Sequence, residues 1–547
     1  MADLLRVSSV GILIVFAAGC ETETLGDVTS GQGGSGAATT GSGAAGDTGG
    51  TGGAGAASAW MDAEPSQVSA VWSVQLGGLE SGFEATPFAD TSLGLGLDGA
   101  GNALVTATFW NLNGGGLSHL VKLDPNGSEV WKKAFGRYKL TGGFTLSVHP
   151  GGDVALASDL WNEIDLGSGP VKPANDGPHA AFVAKLNGAG QPLWSRVGTS
   201  NQVPAITLLN SGDAAITNRL NAFVDPPVAE PIHGAASLGP MGELPWSWAV
   251  AGLNHSVFGV DRASGDVWVV TLSESAVDFG GGALSGSKGG LLGARFHANG
   301  DHVWSGVLGE VELNADGVPL LQLTGVVPTS AGTAMLHGSF QGSLQLGDDV
   351  YTSSGMDAFV LEVGGDGAPI WKKHLGGSGN QGVGEVVASG QDRFLLLTSN
   401  GVSDLGGGPI GAEGVLQSIL AGVTATGAHT WSRAVPLVQG EGGVGGVPSL
   451  LVTPSGGLVF ARHVACEQGA ASQFAFSTVG PSGNFTAEHR VGDCQNSLIA
   501  LGPAAIGSDN SPVFMGRFLG HINLGAGVHT TFSDSDLDVF VAKIPPL

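Results

Sequence analysis

The stretch LDPNGSEVW, residues 123–131, contains the pattern that decides the fold: a glycine followed four residues later by a tryptophan. The pattern recurs along the chain, and successive tryptophans are 52 to 67 residues apart. The six copies are Gly127/Trp131, Gly190/Trp194, Gly242/Trp246, Gly300/Trp304, Gly367/Trp371 and Gly427/Trp431. Self-similarity at a long period is typical of a repeat architecture. Such proteins usually work through the surface that their repeats build.

Two further positions complete the series. The stretch VWSVQLG, residues 71–77, places Trp72 in the setting that closes each copy. Gly483 has the correct spacing, although Ala487 replaces the tryptophan. A period of about sixty residues is long enough for four short strands and their turns. These eight positions therefore predict an all-β fold, a β-propeller of eight four-stranded blades.

One copy, residues 323–377, shows how the unit divides. Short apolar runs bounded by Gly, Asp, Asn and Pro predict strands at 323–327, 333–340, 357–363 and 369–375, with a hairpin loop at 345–349. The third run recurs as AFVAKL at 181–186 and alternates poorly between apolar and polar residues. That composition favours sheets covered on both faces, as the blades of a propeller are.

The two ends of the repeat region complement each other. The last copy stops after its third strand at Ile544, whereas the strand around Trp72 has no preceding three. We therefore expect the N-terminal strand to complete the C-terminal blade, which would close the ring. The third copy, residues 205–252, contains three prolines between positions 226 and 231. If that copy is not a full blade, the prediction becomes seven blades.

The first 64 residues predict export and a tether. Arg6 and the apolar run 10–18 are typical of a signal peptide, and residues 1–20 are assigned to it. The run ends in AAGC, which resembles a bacterial lipobox and predicts lipidation of Cys20. An ordinary signal peptide with an incidental cysteine is the alternative. Residues 21–64, rich in Gly, Ser, Thr and Ala, predict a flexible tether. The domain at 65–547 would then be anchored to the cell envelope, at the outer membrane or the cell surface.

Charge and cysteine content limit the partners. A net charge of −26 argues against nucleic acid and anionic lipid, because both bind basic surfaces. Cys466 and Cys494 lie in the same repeat unit, and in an exported protein they predict a disulfide. A metal-binding pair and two free thiols are the alternatives.

Several strands resemble those of the bacterial SBBP β-propeller repeat. The stretch LDGAGNALVTA, residues 97–107, is similar to that family's turn and second strand, and FVAKL at 182–186 is similar to its third. The resemblance covers about residues 71–544 and implies an exported propeller without implying an activity. Residues 123–131 also resemble the tryptophan-docking repeat of quinoprotein-like propellers. The chain lacks the adjacent cysteine pair and the cofactor residues of those enzymes, so we expect no cofactor.

No catalytic motif is evident. The chain has no HExxH, GxSxG or P-loop pattern. Several of its fourteen histidines fall in or beside strands, and we interpret them as solvent-facing or packing residues: His119, His302, His374 and His429. A recurring hairpin motif, such as DLG at 165–167, is explained by turn structure. Asp534, Asp536 and Asp538 could bind Ca²⁺, although a charged loop explains them as well.

These features predict a binding protein and not an enzyme. We expect a lipid-anchored monomer that acts as a non-catalytic binding or scaffold module for a protein or glycan of the cell envelope, and that touches the membrane only through its lipid. The alternative is a hydrolase or lyase acting on extracellular polysaccharide. Two carboxylates about 5 to 10 Å apart at a channel mouth would favour the enzyme. A smooth, apolar or glycine-lined channel would favour binding.

Overall fold

A computed structural model of the chain contains the strand units that the repeat predicts. It describes residues 65–76, 93–110, 116–135, 144–161, 163–167, 169–173, 179–198, 203–220, 223, 232–251, 253, 255–273, 275–284, 289–329, 332–437, 448–466, 472–494, 497–531 and 537–547. The described residues form strands and turns without a helix, and so none of their elements is a helix that could cross a membrane. The predicted signal peptide, Cys20 and the tether lie outside the described residues.

The strands fall into eight consecutive units. Two strands, β1 (Ser66–Gln67) and β2 (Trp72–Leu76), precede the first of them. Unit 1 contains β3 (Leu93–Leu97), β4 (Ala103–Trp110), β5 (Gly116–Leu123) and β6 (Glu129–Phe135). Unit 2 contains β7 (Thr145–Val148), β8 (Val154–Trp161), the short hairpin β9 (Ile164–Asp165) and β10 (Pro170–Val171), β11 (His179–Leu186) and β12 (Pro192–Val197). Unit 3 contains β13 (Ala205–Leu208), β14 (Ala214–Arg219), β15 (Ile232–Leu238) and β16 (Trp246–Ala251).

The next three units follow the same plan. Unit 4 contains β17 (His255–Val260), β18 (Val267–Ser273), the hairpin β19 (Val277–Asp278) and β20 (Ala283–Leu284), β21 (Gly290–Phe296) and β22 (His302–Val311). Unit 5 contains β23 (Leu321–Pro328), β24 (Ala334–Leu346), β25 (Asp349–Val363) and β26 (Pro369–Leu375). Unit 6 contains β27 (Gln381–Ser389), β28 (Asp392–Ser399), the hairpin β29 (Ser403–Asp404) and β30 (Pro409–Ile410), β31 (Gln417–Thr424) and β32 (His429–Pro436).

The last two units involve the N-terminal strands. Unit 7 contains β33 (Ser449–Val452), β34 (Leu458–Ala465), β35 (Ser472–Val479) and β36 (Phe485–Val491). Unit 8 contains β37 (Ser497–Ile506), β38 (Pro512–Leu519), the hairpin β39 (His521–Asn523) and β40 (Val528–Thr530), and β41 (Leu537–Lys543). The fourth strand of unit 8 is β2, which pairs antiparallel with β41 and sets Trp72 opposite Lys543. In parallel orientation, β1 extends the sheet of unit 7 at β36.

Apolar side chains fill the spaces between neighbouring sheets. Phe182 of unit 2 packs with Leu104 of unit 1, and Phe540 of unit 8 packs with Phe474 of unit 7. Val541 of unit 8 packs with residues of unit 1 in the same way. The first strands also contact one another, and β3 of unit 1 touches both β7 of unit 2 and β37 of unit 8. This arrangement of radial sheets is a β-propeller fold.

Unit 3 agrees with the prediction of a full four-stranded copy, whereas unit 5 differs from what the sequence predicts. Unit 3 is a complete four-stranded sheet, and the prolines that suggested an incomplete copy lie outside the described residues. In unit 5 the predicted loop at 345–349 is a tight turn at residues 347–348, because β24 and β25 continue toward each other as a long hairpin. The extension of β24 pairs with β22, with Gly309 opposite Leu346. Units 4 and 5 therefore share one eight-stranded sheet.

Candidate functional site

The recurring glycine and tryptophan join neighbouring units. Each turn glycine has a positive φ, and the tryptophan of the preceding unit packs against it. A Cβ at Gly127 would lie 2.6 Å from the Trp72 ring, and one at Gly190 would lie 3.0 Å from the Trp131 ring. The same contact joins Trp194 to Gly242, Trp246 to Gly300, Trp304 to Gly367, Trp371 to Gly427 and Trp431 to Gly483. The indole of Trp72 also donates a hydrogen bond to the carbonyl of Pro125 (2.9 Å). The signature is therefore structural.

The hairpin motif and the recurring lysine of the third strand have structural roles as well. Asp165 accepts hydrogen bonds from the backbone N–H groups of Gly167 and Gly169 (2.7 and 3.1 Å), as the sequence predicts for a turn. Lys185 lies 3.1 Å from the carboxylate of Asp153 and donates to the carbonyl of Gly212 in the next unit. These contacts explain both patterns by structure.

Two buried glutamates each form an ion pair with a buried arginine. Arg393 donates to both oxygens of Glu362 (3.0 and 2.9 Å), and both side chains are buried. Burial alone would raise the pKa of Glu362, but hydrogen bonds from Arg393 and Thr333 hold that pKa below its usual value. Glu488 is held in the same way by Arg462. These carboxylates stay ionised and are used for packing, so they are not candidates for catalysis.

The predicted disulfide is present. Cys466 and Cys494 are bonded, with their Cα atoms 5.8 Å apart. The bond joins the end of β34 to the segment after β36. It excludes a metal-binding pair and free thiols at these positions.

The first strands of the units, as far as the structure describes them, do not carry the carboxylate pair that would mark a site in the channel. The first strand of each unit is rich in small and apolar residues, and glycines such as Gly94 and Gly96 lie against side chains of the neighbouring first strand. Glu385 is the one carboxylate on the described first strands. Burial raises its pKa, and a hydrogen bond from the backbone N–H of Leu450 (2.7 Å) opposes that effect. A single carboxylate cannot supply both groups of a glycosidase-type pair.

A carboxylate and a histidine meet in unit 5. Nε2 of His374, on β26, lies 2.6 Å from Oδ2 of Asp357 on β25. Asp357 is buried, whereas the His374 side chain is 26% exposed. The close approach requires a glycine at position 376, because a Cβ there would lie 2.5 Å from the carboxylate and 2.6 Å from the imidazole. From the sequence, His374 was predicted to be a solvent-facing or packing residue, so this pair was not predicted.

The other repeats provide an internal comparison for this pair. His374 lies opposite Phe359, three residues after the tryptophan of its strand. The residues at the same register position in units 1, 2, 3, 4 and 6 are apolar: Ala134, Val197, Ala249, Val307 and Ala434. Unit 8 has Gln75 hydrogen-bonded to Asp538 (2.6 Å), and unit 7 has Arg490. The fold therefore does not require a carboxylate–imidazole pair at this position.

Aromatic rings flank the imidazole of the pair, and a cavity lies in the same unit. The rings of Phe340 and Tyr351 each lie 5.4 Å from the imidazole of His374, measured between ring centroids. Burial raises the pKa of Tyr351, and the neighbouring carboxylate of Asp349 raises it further. Phe340 also lines a cavity of about 220 Å³, together with residues 319–322, 339 and 341 and Met356. An acid–base pair, a protonated hydroxyl and a mainly apolar cavity thus lie within one unit.

The structure describes only part of the predicted Ca²⁺ cluster. Asp534 and Asp536 lie outside the described residues, whereas Asp538 is bonded to Gln75. Across the described ranges, no group of three or more His, Cys, Asp or Glu side chains is arranged to hold a metal ion. Ca²⁺ binding at this cluster stays a prediction.

Comparisons with known proteins find similarity in fold. No family model matches the chain, and no curated protein matches it. Similar solved structures include the β-propeller domain of the Trilobed protease from Pyrococcus furiosus, with 10% identity over 71% of this chain and 94% of that chain and a TM-score of 0.37. A post-proline cleaving enzyme from Rickettsia typhi is 8% identical over 75% of this chain and 56% of that chain, with a TM-score of 0.40. A polysaccharide lyase is 11% identical over 81% and 88% of the two chains, with a TM-score of 0.36.

The prediction that the chain is not an enzyme is wrong as an exclusion. The similar structures include the post-proline cleaving enzyme, the polysaccharide lyase, an α-L-arabinanase and an α-L-arabinofuranosidase. At these identities and TM-scores the likeness does not assign any of these activities to this protein. No match supports the predicted SBBP family beyond the propeller fold itself.

Proposed function

We propose that the chain is an exported, lipid-anchored β-propeller of eight blades that cleaves an extracellular polysaccharide by acid–base chemistry in unit 5. The observation that carries the catalytic part is the Asp357–His374 pair, because it replaces uncharged residues that the same register position holds in most of the other units. Export and anchoring through Cys20 rest on the sequence. A shift of the Cys20→Ser variant from the membrane fraction to the soluble fraction would support anchoring, and its retention would contradict it.

The packing of the units supports eight blades in a closed ring. Apolar clusters lie between each pair of consecutive units, and one of them joins unit 8 to unit 1 through Trp72, Val105 and Val541. Each cluster buries apolar area that would otherwise meet water. Pairing of β2 with β41 covers the edge of unit 8, as expected of a fold that avoids open sheet edges.

The missing tryptophan at position 487 supports the same closure. A fourth-strand tryptophan packs on the glycine turn between the third and fourth strands of the next unit. In unit 8 that turn does not exist, because the fourth strand is β2, which comes from the other end of the chain. Ala487 therefore has no glycine turn on which a tryptophan could dock. The tryptophan is therefore missing only at the interface between units 7 and 8, which we call a seam. Closure by the N-terminal strand predicts its loss at this seam.

The chemistry follows from the geometry of the pair. When Nε2–H of His374 donates to Asp357, Nδ1 is left as the basic nitrogen, and it has no hydrogen-bond partner among the described residues. Nδ1 would take a proton from water as that water attacks the anomeric carbon. The hydroxyl of Tyr351, which is protonated at neutral pH, would give its proton to the departing glycosidic oxygen, although burial and Asp349 raise its pKa and so make it a weaker acid. The carboxylate of Asp357 stabilises the imidazolium that forms.

The charge of the chain favours a neutral glycan. A protein with a net charge of −26 repels anionic substrates, and elimination by a lyase requires a substrate with a carboxylate beside the reacting carbon. Aromatic rings such as Tyr351 and Phe340 offer flat apolar surfaces on which the faces of sugar rings can stack. Hydrolysis is therefore the proposed reaction, and elimination is the second candidate.

The test measures cleavage of soluble polysaccharides by the purified chain. We expect new reducing ends from a neutral polysaccharide, no unsaturated product, and a loss of at least a hundredfold in the rate for His374→Gln. The matched control is Gln75→Ala in unit 8, which alters the equivalent glutamine–aspartate pair and should leave the rate unchanged. Unsaturated products from an acidic polysaccharide would show that the reaction is elimination and not hydrolysis. A His374→Gln variant as active as the wild type would contradict the site, and so would a lack of cleavage of every glycan tested.

A further inference from the structure

The N-terminal segment docks on unit 7 through a small polar site. Nε2 of Gln67 donates to the carbonyl of Gly492 (2.8 Å). Nε2 of Gln473 donates both to that carbonyl (2.6 Å) and to Oε1 of Gln67 (2.8 Å). These three groups close a ring of hydrogen bonds beside β1, which itself pairs with β36 over only two residues. Such a short pairing gains much of its specificity from the side-chain contacts next to it.

The disulfide holds both sides of this site. Cys494 follows Gly492 by two residues and adopts a left-handed backbone with φ of +58°, which a non-glycine residue rarely adopts unless its surroundings impose it. Cys466 directly follows the last pair between β34 and β35, in which Ala465 lies opposite Ser472. Gln473 is the next residue along β35. The disulfide therefore ties the segment that presents the Gly492 carbonyl to the strand end that presents the Gln473 amide.

The N-terminal segment contributes to the interface between units 7 and 8, alongside the apolar cluster that fills it. This seam lacks the tryptophan–glycine contact, because Ala487 stands at the tryptophan position. Residues 68–71 cross the seam with three backbone hydrogen bonds: Val68 N–H to Arg490, Ala70 N–H to Leu524 and Val71 N–H to Lys543. The first acceptor belongs to unit 7 and the other two to unit 8. The segment thus bridges the two units before β2 completes the sheet.

We propose that the Cys466–Cys494 disulfide is a redox-dependent latch for the N-terminal segment. In the oxidised protein it fixes Gly492 and Gln473 so that Gln67 docks between them. When a dithiol reduces the bond, two electrons and two protons pass to the cysteines and the dithiol becomes a disulfide. The Gly492 carbonyl and the Gln473 amide, which bind Gln67, then become more mobile, and residues 66–71 are the first part of the domain to detach. Since disulfides form in oxidising compartments, the seam reaches full strength only after export.

Hydrogen exchange read by mass spectrometry tests the latch on the mature full-length chain in detergent. The readout is the exchange rate of the amides of Val68, Ala70 and Val71, compared with amides of β18 in unit 4. We expect dithiothreitol to speed exchange at residues 66–71 at least tenfold and to leave β18 unchanged. The Cys466→Ser/Cys494→Ser double variant should behave like the reduced protein. In oxidised protein, Gln67→Ala should open the same segment with the disulfide intact.

Two results would overturn the latch. One is equal exchange at residues 66–71 in oxidised and reduced protein. The other is an equal acceleration in β18, because the disulfide would then support the whole domain and not the N-terminal segment. If the double serine variant does not fold, the reduction of folded wild-type protein decides between these outcomes.

Discussion

A turn glycine is required at position 127 for two separate reasons. Its backbone φ is +82°, which favours glycine, and the ring of Trp72 fills the space where a side chain would begin. The spacing of the glycines and tryptophans was readable from the sequence. Their contact across units was not, because a repeat aligned by its own period places Gly127 and Trp131 together. The structure pairs Gly127 with Trp72 of the unit before it.

The two reasons can be separated with a matched pair of substitutions. Gly127→Ala should destabilise the domain by about 1–2 kcal/mol from the left-handed backbone and by a further ~1–3 kcal/mol from overpacking against the Trp72 ring. Gly317→Ala, at a φ of +81° with nothing within 4 Å, should show only the first loss. Denaturant unfolding of the two variants measures the difference. Equal losses would mean that the ring contact contributes nothing.

Buried histidines should make the domain sensitive to mild acid. Burial lowers the pKa of His337 and of His463 to about 4, and Nε2 of His463 accepts a hydrogen bond from the backbone N–H of Leu501 in unit 8 (2.7 Å). An unfolded histidine titrates near pH 6.5. As the pH falls from about 6.5 to 4, the unfolded state therefore binds protons that the folded state does not, and stability falls through that window.

The expected loss is at most roughly 3 kcal/mol for each of these histidines. Melting temperatures measured between pH 7 and 5 should fall with acid, in a range that lies above the ordinary pKa values of Asp and Glu. His463→Gln should make the melting temperature depend less on pH, because an amide oxygen can accept the hydrogen bond from Leu501 without titrating. An unchanged slope in this variant would assign the acid sensitivity to other groups.

The Asp357–His374 pair was not predicted from the sequence. His374 looked like any of the scattered histidines, and Asp357 like an ordinary strand residue. A register alignment of the copies would have shown that unit 5 alone has an aspartate and a histidine at those two positions. The distance between their side chains still depends on Gly376 and on the pairing of β25 with β26. That information is not in the repeat pattern.

At the scale of elements, the long hairpin of unit 5 was the least predictable feature. The fourth strand at 369–375 was predicted with the bounds that the structure has, because its tryptophan and flanking turns are regular. Residues 341–356 contain glycines and polar residues that favour a loop in isolation. They form strands because β22 of unit 4 pairs with the extension of β24, and because Leu344 and Leu346 are buried against both units.

This coupling of units 4 and 5 can be tested by truncating a buried leucine. Leu344→Ala should cost about 2–5 kcal/mol, because Leu344 is fully buried in the cluster that joins the two units. The control on the same hairpin is Val350→Ala, at a residue that is 59% exposed, and it should stay within about 0.5 kcal/mol of wild type. Chemical denaturation compares them. If both variants are as stable as wild type, the hairpin does not contribute to the joint between units.

At the scale of the whole molecule, the first and last parts of the described domain meet in unit 8, where β2 pairs with β41. The sequence predicted this because one copy lacked its fourth strand and the N-terminal strand lacked its first three. It did not predict β1, since Ser66–Gln67 carries no strand signal and pairs with β36 only through the surroundings of unit 7. The exclusion of an enzyme was also wrong, because the absence of a linear motif does not exclude a site assembled from two strands.

Closure by the N-terminal strand is tested most directly by comparing the thermal unfolding of two N-terminal deletions. Removal of residues up to Ser58 should leave the melting temperature of the domain unchanged. Removal up to Gly78 takes away Trp72, which is 8% exposed, together with the strand that covers β41. Loss of a buried aromatic alone typically costs about 3–5 kcal/mol, so the longer deletion should melt at a much lower temperature or fail to unfold cooperatively. Equal melting temperatures would show that the termini do not hold the ring together and would contradict the closed eight-blade account.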